Sequence, residues 1–361
     1  MKLEINGVQY VNFVSAVCEI RLDALSNSFR FDAIAPGREL PFKGGESCRV
    51  IINDTPVLTG KIEVVNVSYD AGQHKISISG RDKTADLLDS TIDSMDDIIG
   101  DNLTLKTVIE TVIEHIGADI KVIDEAAPEP FSLTEDIAAP EPGDNAFRFI
   151  EKFARRRQVL LTSNGDGDLV IAANSGQSTQ GAIQHIIGAT DNNVLSSEFS
   201  FDTTGRYHVY RNTTGLNPVA QNAAGQSDLA SVVNQSGGVF DYDIKEGRQL
   251  VMVPESPYGS TGCKARAVWE LNVRRARGLT YSAVVTGYTV GFGSDELWQV
   301  NKLYQITDDY LGKEEQMLCN SVTFTLSSTE GSKTALGFVG QRAYTAYIEP
   351  DPYAQEASSV A

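Results

Sequence analysis

Short runs in which apolar and polar residues alternate fill residues 1–90 of the chain. Phe29, Phe31 and Ala33 alternate with polar neighbours, and Ile76 and Ile78 do the same. Successive side chains on a strand point to opposite faces, so a period of two is typical of half-buried β-strands. The pattern predicts strands at Val8–Tyr10, Ala16–Ile20, Ser28–Ala33, Cys48–Ile52, Pro56–Tyr69 and Lys75–Gly80. Many short strands at this spacing indicate a small barrel or sandwich.

The spacing becomes helical after Gly80. Apolar residues recur three and four positions apart from Leu105 to Ile116, with Thr104 placed to cap the helix and Gly117 to end it. This is the clearest helix in the sequence. Two more helices are predicted at Asn145–Arg156 and Gly262–Arg277, and an acidic, proline-rich loop at Pro128–Pro142.

Strand patterns return after the second helix. They lie at Val159–Thr162, Leu169–Ala173, Glu198–Phe201, Tyr207–Arg211, Thr280–Tyr288, Leu303–Asp308, Glu315–Leu326 and Lys333–Phe338. The polar stretch Thr213–Gly238 predicts a long loop, and the residues beyond Arg342 predict an extended tail. The predicted fold class is therefore mainly β with an α+β portion.

The change from strands to helices falls in Gly80–Ile92, which reads GRDKTADLLDSTI. A Gly-rich turn at Gly44-Gly45, the TGKI segment Thr59–Ile62 and a long strand ending at Tyr69 precede it in that order. This succession resembles the N-terminal domain of the baseplate hub protein of Mu-like contractile-tailed phages. That family is related to the central hub of T4-type phages and to the VgrG-type hubs. The resemblance extends diffusely over the whole chain, and its motifs are turn and strand patterns rather than catalytic signatures.

The resemblance implies a particular architecture. Two similar tube-like β-barrels from each of three chains would form a pseudo-sixfold ring, with a partly helical α/β domain of each chain outside it. Such a ring lets a threefold spike meet a sixfold tail tube. If the barrels are duplicated, Thr59–Ile62 with its long strand should correspond to Leu303–Phe324. The expected domains are a first barrel at 1–90, a peripheral α+β domain at 91–180 with 213–277, a second, discontinuous barrel at 181–212 with 278–340, and an extended tail at 341–361.

Composition narrows the function classes. At 361 residues the chain exceeds what one hydrophobic core usually serves. Its 48 acidic and 30 basic residues give a net charge of −18, which disfavours sequence-specific DNA binding. Four widely spaced cysteines suit reduced, buried thiols. The chain shows neither an apolar run long enough to span a membrane nor a signal-peptide core, so folding in the cytoplasm is expected.

Candidate metal sites are weak. The NGDGD run at Asn164–Asp168 resembles a calcium loop, but it lacks the EF-hand spacing and terminal Glu, and a Gly-Asp turn between apolar strands favours a hairpin. The histidines lack the spacing of metal ligands, and no cysteine pair lies near them: they are His74, His115, His185 and His208. At its helix end, His115 is expected to have a structural role. No metal or cofactor is therefore predicted.

Candidate catalytic and nucleic-acid sites are equally weak. The paired carboxylates Asp96-Asp97 and Asp308-Asp309 are what a glycosidase uses, yet neighbouring acids are common in so acidic a chain. Gly287–Gly293 lacks the order of a dinucleotide loop. The basic run Phe147–Arg157 resembles a nucleic-acid patch, but its aromatics share one helical face and are expected to pack inward, leaving Arg148, Lys152 and Arg155 in solvent. No catalytic residue is assigned.

The function expected from the sequence is that of a structural hub in a contractile tail baseplate, and not an enzyme. The expected partners are two further copies of the chain, a central spike protein, the tail tube protein and other baseplate proteins, with genomic DNA passing through an acidic channel. The chain would fold in the bacterial cytoplasm and reside in the virion tail. Two alternatives stay open, which are the hub of a related contractile injection or secretion particle and a cell-wall hydrolase with an Asp/Glu pair.

Overall fold

The computed structural model describes residues 1–34, 43–69, 74–93, 95–96, 103–131, 139–213, 236–253, 260–291 and 293–345. The structure is mainly β with a few helices. It divides into two compact units, the first comprising 1–201 with 279–341 and the second 202–278 with 342–361. Among the described residues, no helix is both long enough and apolar enough to span a bilayer.

The first unit begins with seven strands, of which β2 to β7 confirm the six predicted strands and β1 was not predicted. They are β1 (Lys2–Ile5), β2 (Val8–Tyr10), β3 (Ser15–Arg21), β4 (Ser28–Ile34), β5 (Ser47–Ile52), β6 (Thr55–Tyr69) and β7 (His74–Asp82). On β4, Phe29 and Phe31 are buried while Ser28 and Arg30 are exposed. The strands pair antiparallel in the order β2-β1-β5-β6-β7-β4-β3. Alternation therefore predicts both the strands and their buried faces here.

Helices follow, with a small sheet. The elements are α1 (Ala85–Asp89), α2 (Leu105–Ile116), β8 (Val122–Asp124), α3 (Ala146–Arg156), β9 (Leu160–Ser163) and β10 (Leu169–Ala172). Thr104 caps α2 by accepting a hydrogen bond from the Thr107 N–H, and Gly117 ends it in a left-handed conformation, as predicted. The sheet has the order β8-β10-β9 and shares an apolar core with α2 and α3. Of the loop predicted at Pro128–Pro142, residues 132–138 lie outside the described part.

Two strands complete this half of the first unit, β11 (Ser178–His185) and β12 (Val194–Phe201). The sequence pattern did not predict β11, because its residues are mainly polar. The chain then enters the second unit.

The second unit contains β13 (Val209–Thr213), β14 (Ser236–Phe240), β15 (Gln249–Met252) and α4 (Ser260–Gly278). Its sheet has the order β14-β13-β15, and Tyr210 and Val268 lie in its core. The fully buried Asp241 receives hydrogen bonds from the Arg206 guanidinium at 3.0 and 2.9 Å. Most of the predicted loop at Thr213–Gly238 lies outside the described residues, but its two ends belong to β13 and β14. At the start of the predicted tail, residues 341–344 form a turn and Tyr344 is buried.

The chain returns to the first unit with β16 (Leu279–Thr286), β17 (Leu303–Asp308), β18 (Lys313–Ser327) and β19 (Gly331–Gly340). Together with β11, β12 and the seven N-terminal strands they form one 13-stranded sheet, because the second half of β18 pairs with β3. Phe31, Ile62, Tyr304 and Phe324 lie in the single core that both sets of strands share.

The strand order occurs twice in this sheet. The first set has the spatial order β1-β5-β6-β7-β4-β3, and the second set has the order β11-β17-β18-β19-β16-β12. The two orders match position by position, and the matched strands also follow one another in the same order along the chain. The central strands β6 and β18 both have 15 residues, and each has an irregularity near its middle, at Ile62/Val64 and Cys319/Ser321. One difference is polarity, since β1 is antiparallel to β5 whereas β11 is parallel to β17. β6 thus occupies the position that β18 occupies in the second set.

Candidate functional site

The GRD motif ends β7 at a buried carboxylate. Asp82 is 2% exposed and accepts hydrogen bonds from the Asn27 N–H at 2.8 Å, the Thr84 N–H at 3.1 Å and the Ser26 hydroxyl at 3.1 Å. The Ser163 hydroxyl, at the end of β9, also donates to it. Donors from both the N-terminal strands and the small sheet therefore converge on one side chain, and we call Asn27, Asp82, Thr84 and Ser163 the Asp82 junction.

Burial of the Asp82 junction changes its chemistry. Removal from water raises the pKa of Asp82 above its usual value, and the hydrogen bonds from Ser163, Thr84, Asn27 and Ser26 oppose that rise. The Asn27 side-chain amide also donates to the Ser163 hydroxyl at 2.8 Å, which closes the network. The donors come from both the N-terminal part and the small sheet, so the junction fixes these two parts of the fold against each other.

The DLLDS part of the same motif has a structural role on the surface. Asp86 and Asp89 of α1 form ion pairs with Lys61 and Arg81 at 2.6 and 2.5 Å. Arg81 also pairs with Glu63 at 2.6 Å, and hydrogen bonds to Glu63 and Asp89 raise the pKa of its guanidinium. These ion pairs connect α1, the helix that follows β7, to β6 and β7.

The NGDGD run forms a hairpin between β9 and β10, as predicted. The Asn164 side-chain oxygen accepts from the N–H groups of Asp166 and Asp168, both at 3.0 Å. The Thr59 hydroxyl of β6 donates to the Gly165 carbonyl at 2.8 Å. A Cβ at Gly167, whose φ is +76°, would lie 2.4 Å from the Thr59 carbonyl oxygen, so only glycine allows this approach. The calcium interpretation gains no support, since no cluster of three metal-ligating side chains occurs in the described part of the chain.

Asp308 is a buried acceptor inside the second set of strands. The Ser197 hydroxyl donates to it at 2.8 Å, the Tyr281 hydroxyl at 2.9 Å and the Leu311 N–H at 3.0 Å, and a His185 ring nitrogen lies 3.4 Å away. Burial raises the pKa of Asp308, but the hydrogen bonds outweigh burial and hold it below its usual value.

Among the other carboxylates of the predicted pairs, Asp309 lies next to Asp308 in sequence but has different hydrogen-bond partners. Asp309 accepts a hydrogen bond from the Ile187 N–H at 3.0 Å, which is a structural role. The residues that the structure describes include Asp96 but not Asp97.

The histidines and the basic helix agree with their structural interpretations. His115 pairs with Asp93 at 2.8 Å, and His208 contacts the Ile244 carbonyl at 2.8 Å. On α3, Phe149 and Phe153 are buried, whereas Arg148, Lys152 and Arg155 are exposed, as the helical spacing predicts. All four cysteines are buried and none pairs with another. The Gly287–Gly293 segment has no dinucleotide-loop helix after it, since residues 293–302 lie in turns and a bridge.

Within the 13-stranded sheet, three of the described strands have one pairing partner each: β2 pairs with β1, β12 with β16 and β11 with β17. Two of these terminal strands, β2 and β12, carry exposed apolar side chains. Val8 on β2 is 55% exposed, and Leu195 and Phe201 on β12 are 54% and 57% exposed. Exposed strand edges with apolar side chains are typical of surfaces that pair with another chain. We call β2 and β12 the edge strands.

Comparison with known proteins agrees with this architecture. Residues 1–82 match a family model described as the N-terminal part of the Mu phage baseplate assembly protein GpP-like, and residues 84–173 match the second domain of the baseplate hub protein gp44-like. The chain is similar to the Mu-like baseplate hub proteins over these two regions. The two matched regions meet at the Asp82 junction, so this network lies at the boundary between them.

Full-length relatives support the same assignment. The baseplate hub protein gp44 of Escherichia phage Mu is 25% identical over 97% of this chain and 90% of its own length. The crystal structure of the 43 kDa tail protein of prophage MuSo2 from Shewanella oneidensis is 27% identical with a TM-score of 0.77, covering 95% of this chain and 99% of that one. These matches are to baseplate hub and tail proteins, so they favour the hub prediction over the hydrolase alternative.

The fold is shared more widely. The E. coli c3393 protein, a component of the type VI secretion system with structural similarity to the T4 tail proteins gp27 and gp5, superposes with a TM-score of 0.57 at 10% identity. That comparison covers 97% of this chain and 80% of the other. This likeness is one of fold alone.

Proposed function

We propose that this hub protein forms a homotrimeric ring that adapts a sixfold tail tube to a threefold central spike. The single observation that carries the proposal is the repeated strand order, in which β6 and β18 hold equivalent positions. Three chains with two equivalent strand sets each present six similar docking surfaces. Each set would close into a small barrel in this arrangement, as the resemblance to Mu-like hubs implies.

The edge strands support ring closure. A head-to-tail interface joins two different surfaces of the chain. The rotation that relates neighbouring copies then sets how many copies complete the ring. β2 and β12 lie at opposite ends of the strand order and carry different exposed side chains, which suits such an interface. The proposed ring encloses a channel for genomic DNA, and an acidic lining would let DNA slide without binding. A neutral or basic lining in the assembled ring would overturn that last point.

The proposed partners are the spike protein, the tube protein and other baseplate proteins, with folding and assembly in the host cytoplasm and residence in the virion. A hub of an injection or secretion particle is the second candidate, because the fold extends to c3393. The phage tail is favoured, since the identities of 25% and 27% are to Mu-like proteins over almost the whole chain.

Sedimentation of the full chain tests the ring. The expected mass is three times 39.1 kDa, about 117 kDa. Leu195→Lys, on the β12 edge, should lower the mass towards one chain, while Ile187→Lys, equally apolar at 71% exposure but outside any strand, should not. A stable monomer of the unsubstituted chain, with or without added tube and spike proteins, would refute the proposal.

A further inference from the structure

The first unit contains a half-open cavity of ≈ 900 Å³. Its walls are the turn of the β9–β10 hairpin, the segment from the end of β10 to Gln177, residues 295–302 before β17, and the first residues of β6. Val322 and Phe324 of β18 and Leu22 supply an apolar lining. A cavity of this size, with apolar surface and a few polar groups, is typical of a ligand site.

The walls are fixed without a ligand. The Asn301 side chain donates to the Ala173 carbonyl at 2.9 Å and accepts from the Ser175 N–H at 3.1 Å, which joins the two wall segments. The Gln299 N–H donates to the Tyr304 hydroxyl at 3.0 Å. A site held by its own hydrogen bonds loses little conformational entropy when it is filled.

The charged side chains that line the cavity are mostly acidic. Glu125, Asp295 and Glu296 line it, are exposed, and form no ion pair with any described residue. The cation on the lining, Lys302, donates a hydrogen bond to the neutral Gln177 side-chain oxygen and keeps its charge, so three carboxylates face one ammonium group. This excess of carboxylates favours a positively charged occupant and repels phosphate groups.

A buried donor in the wall lacks its acceptor. Trp298 is 2% exposed, and its indole N–H has no hydrogen-bond partner among the residues that the structure describes. Burial of an unsatisfied N–H is costly, and native proteins rarely leave such a group without protein or water. A carbonyl oxygen in the occupied cavity, reached directly or through one water, would satisfy it.

We propose that this cavity binds an extended, basic polypeptide segment of another tail protein. A Lys or Arg side chain of the segment faces Glu125, Asp295 and Glu296, and a backbone carbonyl accepts from Trp298. The chain's own C-terminus is a poor occupant, because residues 346–361 contain Glu349, Asp351 and Glu356 but no Lys or Arg. The inference goes beyond the ring proposal and does not depend on trimer formation.

The two tryptophans of the chain make the test direct. Trp269 belongs to the second unit, so Trp269→Phe leaves Trp298 as the one indole reporter in the full chain. The probes are overlapping 12-residue peptides from the tail and baseplate proteins encoded with this chain, peptides from this chain itself, and a single-stranded DNA oligonucleotide. We expect at least one Lys- or Arg-containing peptide from a tail protein to change Trp298 emission saturably.

Substitutions inside and outside the lining test whether the peptide binds in this cavity. Asp295→Asn with Glu296→Gln should weaken binding at least tenfold, as should replacing the peptide's basic residues by Glu. Asp166→Asn, exposed on the neighbouring hairpin but outside the lining, should leave the affinity unchanged. Trp298→Phe, followed with a fluorescently labelled peptide, should weaken binding about tenfold, the value of one hydrogen bond.

Several outcomes would overturn the proposal. They are the absence of any saturable emission change, equal affinity for the charge-reversed peptide, unchanged affinity in the Asp295/Glu296 variant, or preferential binding of DNA or of peptides from this chain. The surface variant leaves the core intact, so the result does not depend on whether Trp298→Phe folds. Sedimentation of the same samples separates this result from the ring proposal, because peptide binding is expected in a monomer as well as in a trimer.

Discussion

Asp82 and Ser163, 81 positions apart in the sequence, are joined by a hydrogen bond between their buried side chains. The first ends β7 and the second ends β9, so this contact connects the N-terminal strands to the small sheet. The boundary between the two matched family models lies at the same place. A buried network whose hydrogen bonds are satisfied holds two parts of a fold in a fixed arrangement.

Asp82→Asn should destabilise the first unit. The amide group turns donor hydrogens towards the N–H groups and hydroxyls that the carboxylate now accepts, so at least one buried donor loses its acceptor. We expect a loss of about 2 kcal/mol in the free energy of unfolding, measured by urea denaturation. Asp86→Asn, on a surface ion pair with Lys61, is the control and should cost about 0.5 kcal/mol. Equal losses in the two variants would contradict a special role for the junction.

Gly80→Ala should be poorly tolerated. A Cβ at this position would lie 2.0 Å from the Lys61 carbonyl oxygen on the neighbouring strand and 2.8 Å from the Phe29 ring. The strands would have to separate, at a cost of about 3 kcal/mol, which a lowered urea midpoint would reveal. Gly44→Ala is the matched control, because its Cβ would meet nothing closer than 3.4 Å. A wild-type midpoint for Gly80→Ala would mean that β6 and β7 are not packed as described.

We expect Asp308 to make the free energy of unfolding depend on pH under acidic conditions. Its pKa in the folded protein is lowered, so it contributes stability that is fully present above the unfolded pKa of about 3.9 and is lost as the pH falls through the folded value. In Asp308→Asn, the free energy of unfolding should be lower at pH 7 but should fall less steeply below about pH 4. Unfolding curves between pH 7 and pH 2.5 measure this slope. A variant as acid-sensitive as the parent would refute the assignment.

The cysteines should be unreactive until the chain unfolds. Burial raises the pKa of Cys48 to about 12 and moves the pKa of Cys18 and Cys319 further in the same direction. A thiol reagent at pH 8 should therefore label none of the four cysteines in the native protein and all four in denaturant. Rapid labelling of the native protein, or a mass shift caused by reductant, would contradict this expectation.

Local features were predicted well because their causes are local. The alternation through Phe29 and Phe31 places both on the buried face of β4, and the spacing from Leu105 to Ile116 gives α2 with both predicted ends. β11 was missed, since its polar residues carry no period of two and it is a strand only because β17 pairs with it. No local signal near Asp82 indicates Asn27 or Ser163 as partners, and none near Trp298 indicates a cavity wall.

The sequence by itself determined where most strands and helices lie, that the cysteines are reduced, and that the chain resembles a Mu-like baseplate hub. These properties depend on residue spacing, turn chemistry and composition, which act over a few positions. The tertiary structure decided the repeated strand order, the Asp82 junction, the edge strands and the acidic cavity. They depend on pairings between residues up to hundreds of positions apart, such as β3 with β18, and only the packing of one shared core brings those residues together.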